Sequence, residues 1–247
     1  MNIQAAKAAG SGTAPVLCVI GSCDLRLWAL TPAQRFKRQL GNVAEISLDA
    51  AHSHIGPILF VRADAVIDQP LIPILMTRRD LLLIGDGDVP LAVQTTGDQA
   101  DTVSQLFAGG KSADVPFDAR RPSALDAQFW KALRKRETPY AFQLSSANQG
   151  VVEWRMFMGT YKGATDLVTK HLWPRPAFIA TRILAPLGVT PNIVTLLGAV
   201  LVFAAFWLFW QGQYGWGLAA AWLMTFLDTV DGKLARTTLT SSKWGDV

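Results

Sequence analysis

Two kinds of apolar pattern divide the chain. In the first part the runs are short: Val16 to Ile20, Ile58 to Arg62 and Leu81 to Ile84 each lead into Gly or Asp and alternate with helix-like stretches. That pattern predicts an α/β domain, a parallel or mixed sheet covered by helices, over residues 15–150. Ile84 to Asp88, IGDGD, reads as a tight turn into a further strand at Pro90 to Val93. The segment 109–122, GGKSADVPFDARRP, is a polar surface loop, and DAQFWKALRKR after it has a helix-like pattern. In the last part the runs are long. Asn192 to Trp210 carries no charge and, as a helix, is about 28 Å long, close to the roughly 30 Å hydrocarbon core of a bilayer. It is expected to be a transmembrane helix, followed by the uncharged turn QGQYGWG and a second span at about 216–236.

Between the two regions, residues 151–190 mix aromatics and bases at helical intervals. Phe178, Ile179, Ile183, Leu184 and Leu187 recur at helical spacing, Pro174 and Pro176 mark the start of the helix, and Pro186 and Gly188 mark its end. This predicts a juxtamembrane amphipathic helix lying in the lipid interface. Bases precede the first span at Arg175 and Arg182 and follow the second at Lys233, Arg236 and Lys243. Positive flanks stay inside, so both flanks and the N-terminal domain are expected on the cytoplasmic side of the inner membrane.

Composition adds limits. The net charge of +4 is modest and spread out, which gives nucleic acid no footprint; bases beside a membrane face anionic headgroups instead. Residues 1–14 have no apolar run long enough for a secretory signal and read as a mobile leader. The two cysteines, Cys18 and Cys23, are expected to be free thiols, and His52 and His54 form an H-x-H pair without a third ligand nearby.

Candidate chemistry lies at the end of the second long run. Asp228 and Asp231 are joined directly to an apolar segment, where acids are costly and by default functional. At 100° per residue Asp228, Asp231, Gly232, Ala235 and Arg236 fall within an arc of about 140°, with Thr229, Val230, Lys233 and Leu234 in the complement. Two carboxylates beside two small residues can hold a divalent cation and a diphosphate against the helix backbone.

These residues, Asp228-x-x-Asp231-Gly232-x-x-Ala235-Arg236 followed after eight positions by Gly245, resemble the signature of the CDP-alcohol phosphotransferase family. Val189 to Thr195, VTPNIVT, is similar to the segment opening that family's first transmembrane helix. So are Lys162 to Asp166 and Trp173 to Pro176 to the segment before the juxtamembrane helix in members fused to a nucleotidyltransferase-like domain. The resemblance implies transfer of a phospho-alcohol group from a CDP-alcohol to an acceptor hydroxyl, with release of CMP. Asp228 and Asp231 would ligate Mg²⁺ or Mn²⁺, while Gly232, Ala235, Arg236 and Gly245 would contact the nucleotide. Arg175 and Arg182 would be candidates for substrate phosphate, and a homodimer would be possible. The family places a third and a fourth Asp four and eight positions after Gly245, beyond Val247. The chain is therefore expected to be a truncated piece of a larger membrane bundle, inactive alone.

The N-terminal domain resembles sugar-phosphate nucleotidyltransferases, such as inositol-phosphate cytidylyltransferase. Val16 to Ile20 would be the first strand, Gly21 to Leu27 the phosphate loop, and Asp64, after Ile58 to Ala63, the metal-binding Asp. The loop keeps only Gly21 and carries Asp24 where phosphates would sit, which predicts a degenerate domain. Two other readings are a membrane-tethered binding or regulatory module and a cytidylyltransferase that makes the CDP-alcohol.

Overall fold

The computed structural model describes residues 14–110, 115–125, 129–130, 135–136, 138–161 and 167–240. The leader, the segment Lys162 to Asp166, Lys243 and Gly245 lie outside them. The chain divides into two compact units, Met1–Val152 and Glu153–Val247.

The first unit is built on a mixed sheet. Its strands and helices run β1 Val16–Ile20, α1 Pro32–Leu40, β2 Glu45–Ile46, α2 Leu48–Ser53, β3 Ile58–Arg62, β4 Ala65–Ile67 and α3 Ile72–Thr77, then β5 Leu81–Ile84, β6 Pro90–Thr95, α4 Ala100–Phe107 and β7 Asp118–Arg120. Six of the strands form one sheet in the order β2-β1-β3-β6-β5-β7; β6 runs antiparallel to both neighbours and the remaining pairs are parallel. Successive side chains leave a strand on opposite faces, so each apolar run feeds two cores. Leu17, Leu59, Val61, Leu81 and Leu83 pack against Phe36 and Leu40 of α1 and Leu75 of α3. Cys18, Ile58, Phe60, Leu82 and Val93 pack on the other side against Ala51 of α2 and Val103 and Leu106 of α4. Coverage on both faces explains why these runs are continuous rather than alternating.

Local chemistry sets the ends of several elements. Thr31 caps α1, accepting from the Gln34 amide, while the Gln34 side chain accepts from the Thr31 amide, and Pro32 occupies the first turn. The turn from β5 to β6 is the short helical turn Asp86–Asp88, in which Gly87 has φ 75°, the left-handed region that glycine enters without a Cβ clash. Cys18 is buried, and burial, followed by the nearby Glu45 carboxylate, pushes its thiol up to about 11, so it stays protonated at neutral pH.

One expectation fails here. Within DAQFWKALRKR the described residues form β8 Phe129–Trp130 and β9 Lys135–Arg136, an antiparallel pair. An isolated helix of that length is marginal in water, and cross-strand pairing replaces it. The last strand, β10 Ala141–Gln143, pairs antiparallel with β4.

Helices α5 Gln149–Gly159, α6 Leu167–His171, α7 Pro174–Leu184, α8 Pro191–Trp210 and α9 Tyr214–Thr237 follow. Helix α7 begins and ends where its prolines and glycine predict. Its buried face is Pro174, Ala177 and Thr181, while Ile179 and Ile183 stand more than half exposed. Helix α8 has 20 residues, and among the described helices it is the one long and apolar enough to cross a membrane. Phe203 and Trp210 on it are 73% and 76% exposed, which suits lipid contact and not a soluble core. A turn at Gly212, φ 74°, reverses the chain into α9, and the two helices pack as a hairpin. They approach so closely near the turn that a Cβ at Gly217 would lie 2.7 Å from the Phe209 ring.

Candidate functional site

Helix α9 runs unbroken through Asp228 to Thr237 because its middle is rich in Leu, Ala and Met and contains no proline. Lys233 and Arg236 near its end favour the negative pole of the helix. Burial splits its last turns as the helical arc requires. Val230, Lys233, Leu234 and Thr237 are buried, whereas Asp228 is exposed and Asp231, Gly232, Ala235 and Arg236 are half-buried. The two carboxylates thus stand one turn apart on an open face, together with the small residues and the arginine.

Asp231 is oriented by the neighbouring helix. Thr195, in the opening turns of α8, has its Oγ1 2.7 Å from Asp231 Oδ2 and 3.0 Å from the Pro191 carbonyl. A hydroxyl has one hydrogen, and the ionised carboxylate is the stronger acceptor. The hairpin also sets Asp231 beside the N-terminal, partially positive end of α8, a favourable place for an anion. In the sequence Thr195 stands out only as part of the helix-opening motif VTPNIVT, and its hydroxyl, four positions after Pro191, is the one signal of a further role.

Nothing among the described residues demands a glycine at position 232. A Cβ there would meet Arg236 Nη1 at 3.6 Å, an ordinary contact. Among the described residues, the helix's own backbone and the two chain neighbours aside, only the Arg236 guanidinium comes within 4 Å of that position. Among the described residues no three His, Cys, Asp or Glu side chains gather as a metal site. Two carboxylates nevertheless suit Mg²⁺ chemistry, because that ion keeps several waters and is commonly held by one or two carboxylates together with substrate phosphates.

Arg182, Asp64 and His52 have partners of their own. Arg182 Nε lies 3.1 Å from Oε2 of the buried Glu153, in an ion pair rather than a well-aligned hydrogen bond. Arg175 is exposed on the same helix. No ion pair or hydrogen bond among the described residues joins either arginine to Asp228 or Asp231. Asp64 is gripped from two sides: Arg62 donates Nε to Oδ1 and Nη2 to Oδ2, both at 2.9 Å, and Gln143 Nε2 donates to Oδ2 at 2.9 Å. Burial acts to raise its pKa, but the Arg62 and Gln143 hydrogen bonds outweigh it and hold the carboxyl below the usual range. These contacts tie the end of β3 to β10 and use the oxygens a cation would need. His52 is likewise engaged, through Nδ1 with the Leu48 carbonyl at 2.9 Å and through Nε2 with Asp101 at 3.0 Å.

Residues 188–247 match the model of the CDP-alcohol phosphatidyltransferase family. The matched segment contains the whole open face of α9, Thr195, and the hairpin that brings them together. A relative, the phosphatidylinositol phosphate synthase of Streptomyces avermitilis, is 39% identical over 85 residues, covering 34% of this chain and 33% of that protein. The match therefore spans about a third of the relative's length.

Proposed function

We propose that the CDP-alcohol phosphatidyltransferase segment binds the cytidine diphosphate of a CDP-alcohol, and that the protein transfers the phospho-alcohol group to an acceptor hydroxyl with release of CMP in phospholipid biosynthesis. The observation that carries this reading is the open face of α9, where Asp228 and Asp231 stand one turn apart, Thr195 fixes one of them, and Gly232 has no packing reason among the described residues to be glycine. Asp228 and Asp231 would hold Mg²⁺ or Mn²⁺. When bound, the cation neutralises the diphosphate and stabilises charge on the departing CMP.

The protein's own groups divide the remaining tasks. Gly232 and Ala235 admit the nucleotide to close approach, and Arg236 offers donors to a phosphate oxygen. Gly245 is part of the same proposed nucleotide contact. Thr195 holds the Asp231 carboxylate in one orientation, as outer-shell groups do at metal centres. Helix α8, and the apolar half of α9, are proposed to cross the inner membrane with Arg175, Arg182, Lys233 and Arg236 on the cytoplasmic side, together with the N-terminal unit. The N-terminal mixed sheet is proposed to be nucleotidyltransferase-like and degenerate, since Asp64 is already occupied by Arg62 and Gln143. The resemblance also makes a homodimer part of the proposal.

Nucleotide binding tests this without requiring turnover. The full chain in lipid nanodiscs should retain CMP only when Mg²⁺ or Mn²⁺ is present, and D228N and D231N should abolish retention. T195V should weaken it about tenfold. Metal-independent retention, or full retention by D231N, would overturn the assignment.

A further inference from the structure

The face of α9 turned away from the acids holds a buried lysine. Lys233 is 4% exposed, and its Nζ lies 2.9 Å from the centroid of the Tyr161 ring and 5.7 Å from that of Phe157. Taking an ammonium out of water is costly unless something offsets the lost hydration, and the negative face of an aromatic ring does so. The rings are themselves braced. Phe157 meets Tyr161 edge-on at 5.8 Å and Phe178 of α7 at 5.4 Å, and Trp154 meets Phe178 at 5.0 Å. Burial pushes the Tyr161 hydroxyl up to about 12. The lysine therefore faces a neutral phenol, and the attraction comes from the ring and not from a phenolate.

The position of this lysine along the helix gives the contact its consequence. Lys233 follows Asp231 by two residues and Gly232 by one, so at 100° per residue it projects about 200° from Asp231. A helix held at one azimuth is held at all of them, and a small roll of α9 would carry Asp231 away from Thr195. We propose that Lys233, seated on the Tyr161 and Phe157 rings, is a positioning residue that fixes the roll of α9 and so aims Asp228 and Asp231 at the cation. This rests on the metal-binding reading given above. It assigns Phe157 of α5 and Tyr161, two residues beyond that helix, a part in the site without any contact to substrate.

Mn²⁺ binding by the full chain in lipid nanodiscs, followed by the electron paramagnetic resonance signal of the free ion, separates the two claims. K233R and Y161F keep the cation and the ring face and should bind within about twofold of the parent; K233M and Y161L should bind about tenfold more weakly. Thermal unfolding followed by circular dichroism is recorded for each. If K233M does not fold, Y161L against Y161F decides. Binding that D231N abolishes, but that K233M and Y161L leave unchanged, overturns the positioning role alone. A parent chain that binds no Mn²⁺ overturns the metal site and this inference with it. Equal damage from Y161F and Y161L also overturns it, since the hydroxyl and not the ring would then be the partner.

Discussion

Asp64 reads as a metal-binding acid in the sequence, and in the structure its carboxylate fastens the end of β3 to β10. Its place after a strand of the ILFVR type is where a metal-binding acid is expected, but position cannot reveal that Arg62, two residues earlier, folds back onto both oxygens, nor that Gln143 reaches it from β10. D64N should lower the stability of the N-terminal unit by about 2 kcal/mol, because it breaks charge-assisted hydrogen bonds in a partly buried setting. The folded carboxyl titrates below the unfolded value near 3.9, so its contribution is complete above that pH and is lost as pH falls through the folded value. Urea unfolding of parent and D64N should therefore differ at pH 7 and converge toward pH 2. Thr195 is the opposite case, a residue whose helix-opening role was readable while its hydrogen bond to Asp231 was not. That contact joins positions 36 apart in sequence and exists only once the hairpin has closed.

Elements were more legible than contacts. Strands β1, β3 and β5 and helices α7 and α8 begin and end close to where Gly, Pro and the apolar runs place them, since these signals act within a few residues. The helix-like pattern after residue 125 failed because local periodicity takes no account of pairing. Helix α9 shows the reach of periodicity at its best: a 100° wheel drawn on the sequence sorts its last turns into the buried and open faces seen in the fold. What periodicity could not show was how near α8 comes. At Gly217 the backbone admits the Phe209 ring so closely that any side chain must displace it. G217V is expected to destabilise the hairpin by about 1–3 kcal/mol, read as a lower unfolding midpoint of the full chain in detergent micelles.

For the whole molecule, the uncharged stretch of the sequence runs from Asn192 to Leu227, whereas the fold divides earlier, at Val152 and Glu153, ahead of the charged helices that precede that stretch. The apolar character of α8 is the property on which the proposed membrane attachment depends. V200R, at the middle of α8, should cost about 2.5–3.5 kcal/mol of insertion, and the variant should become extractable from membranes by alkaline carbonate while the parent is retained. If the hairpin spans the bilayer as proposed, it also sets a depth. Trp210 and Trp216 flank its turn, both well exposed, and indole rings settle at the boundary between lipid and water. From Tyr214, beside that boundary, Asp228 lies about 21 Å along the helix and Asp231 about 26 Å, short of the roughly 30 Å thickness of the hydrocarbon layer. On the two-span arrangement proposed above, with its far end moored by tryptophan, the hairpin would keep the acids a few ångströms beneath the opposite headgroups. A lipid-borne diphosphate could meet them there without its acyl chains ever leaving the bilayer, whereas a freely dissolved nucleotide would have to descend.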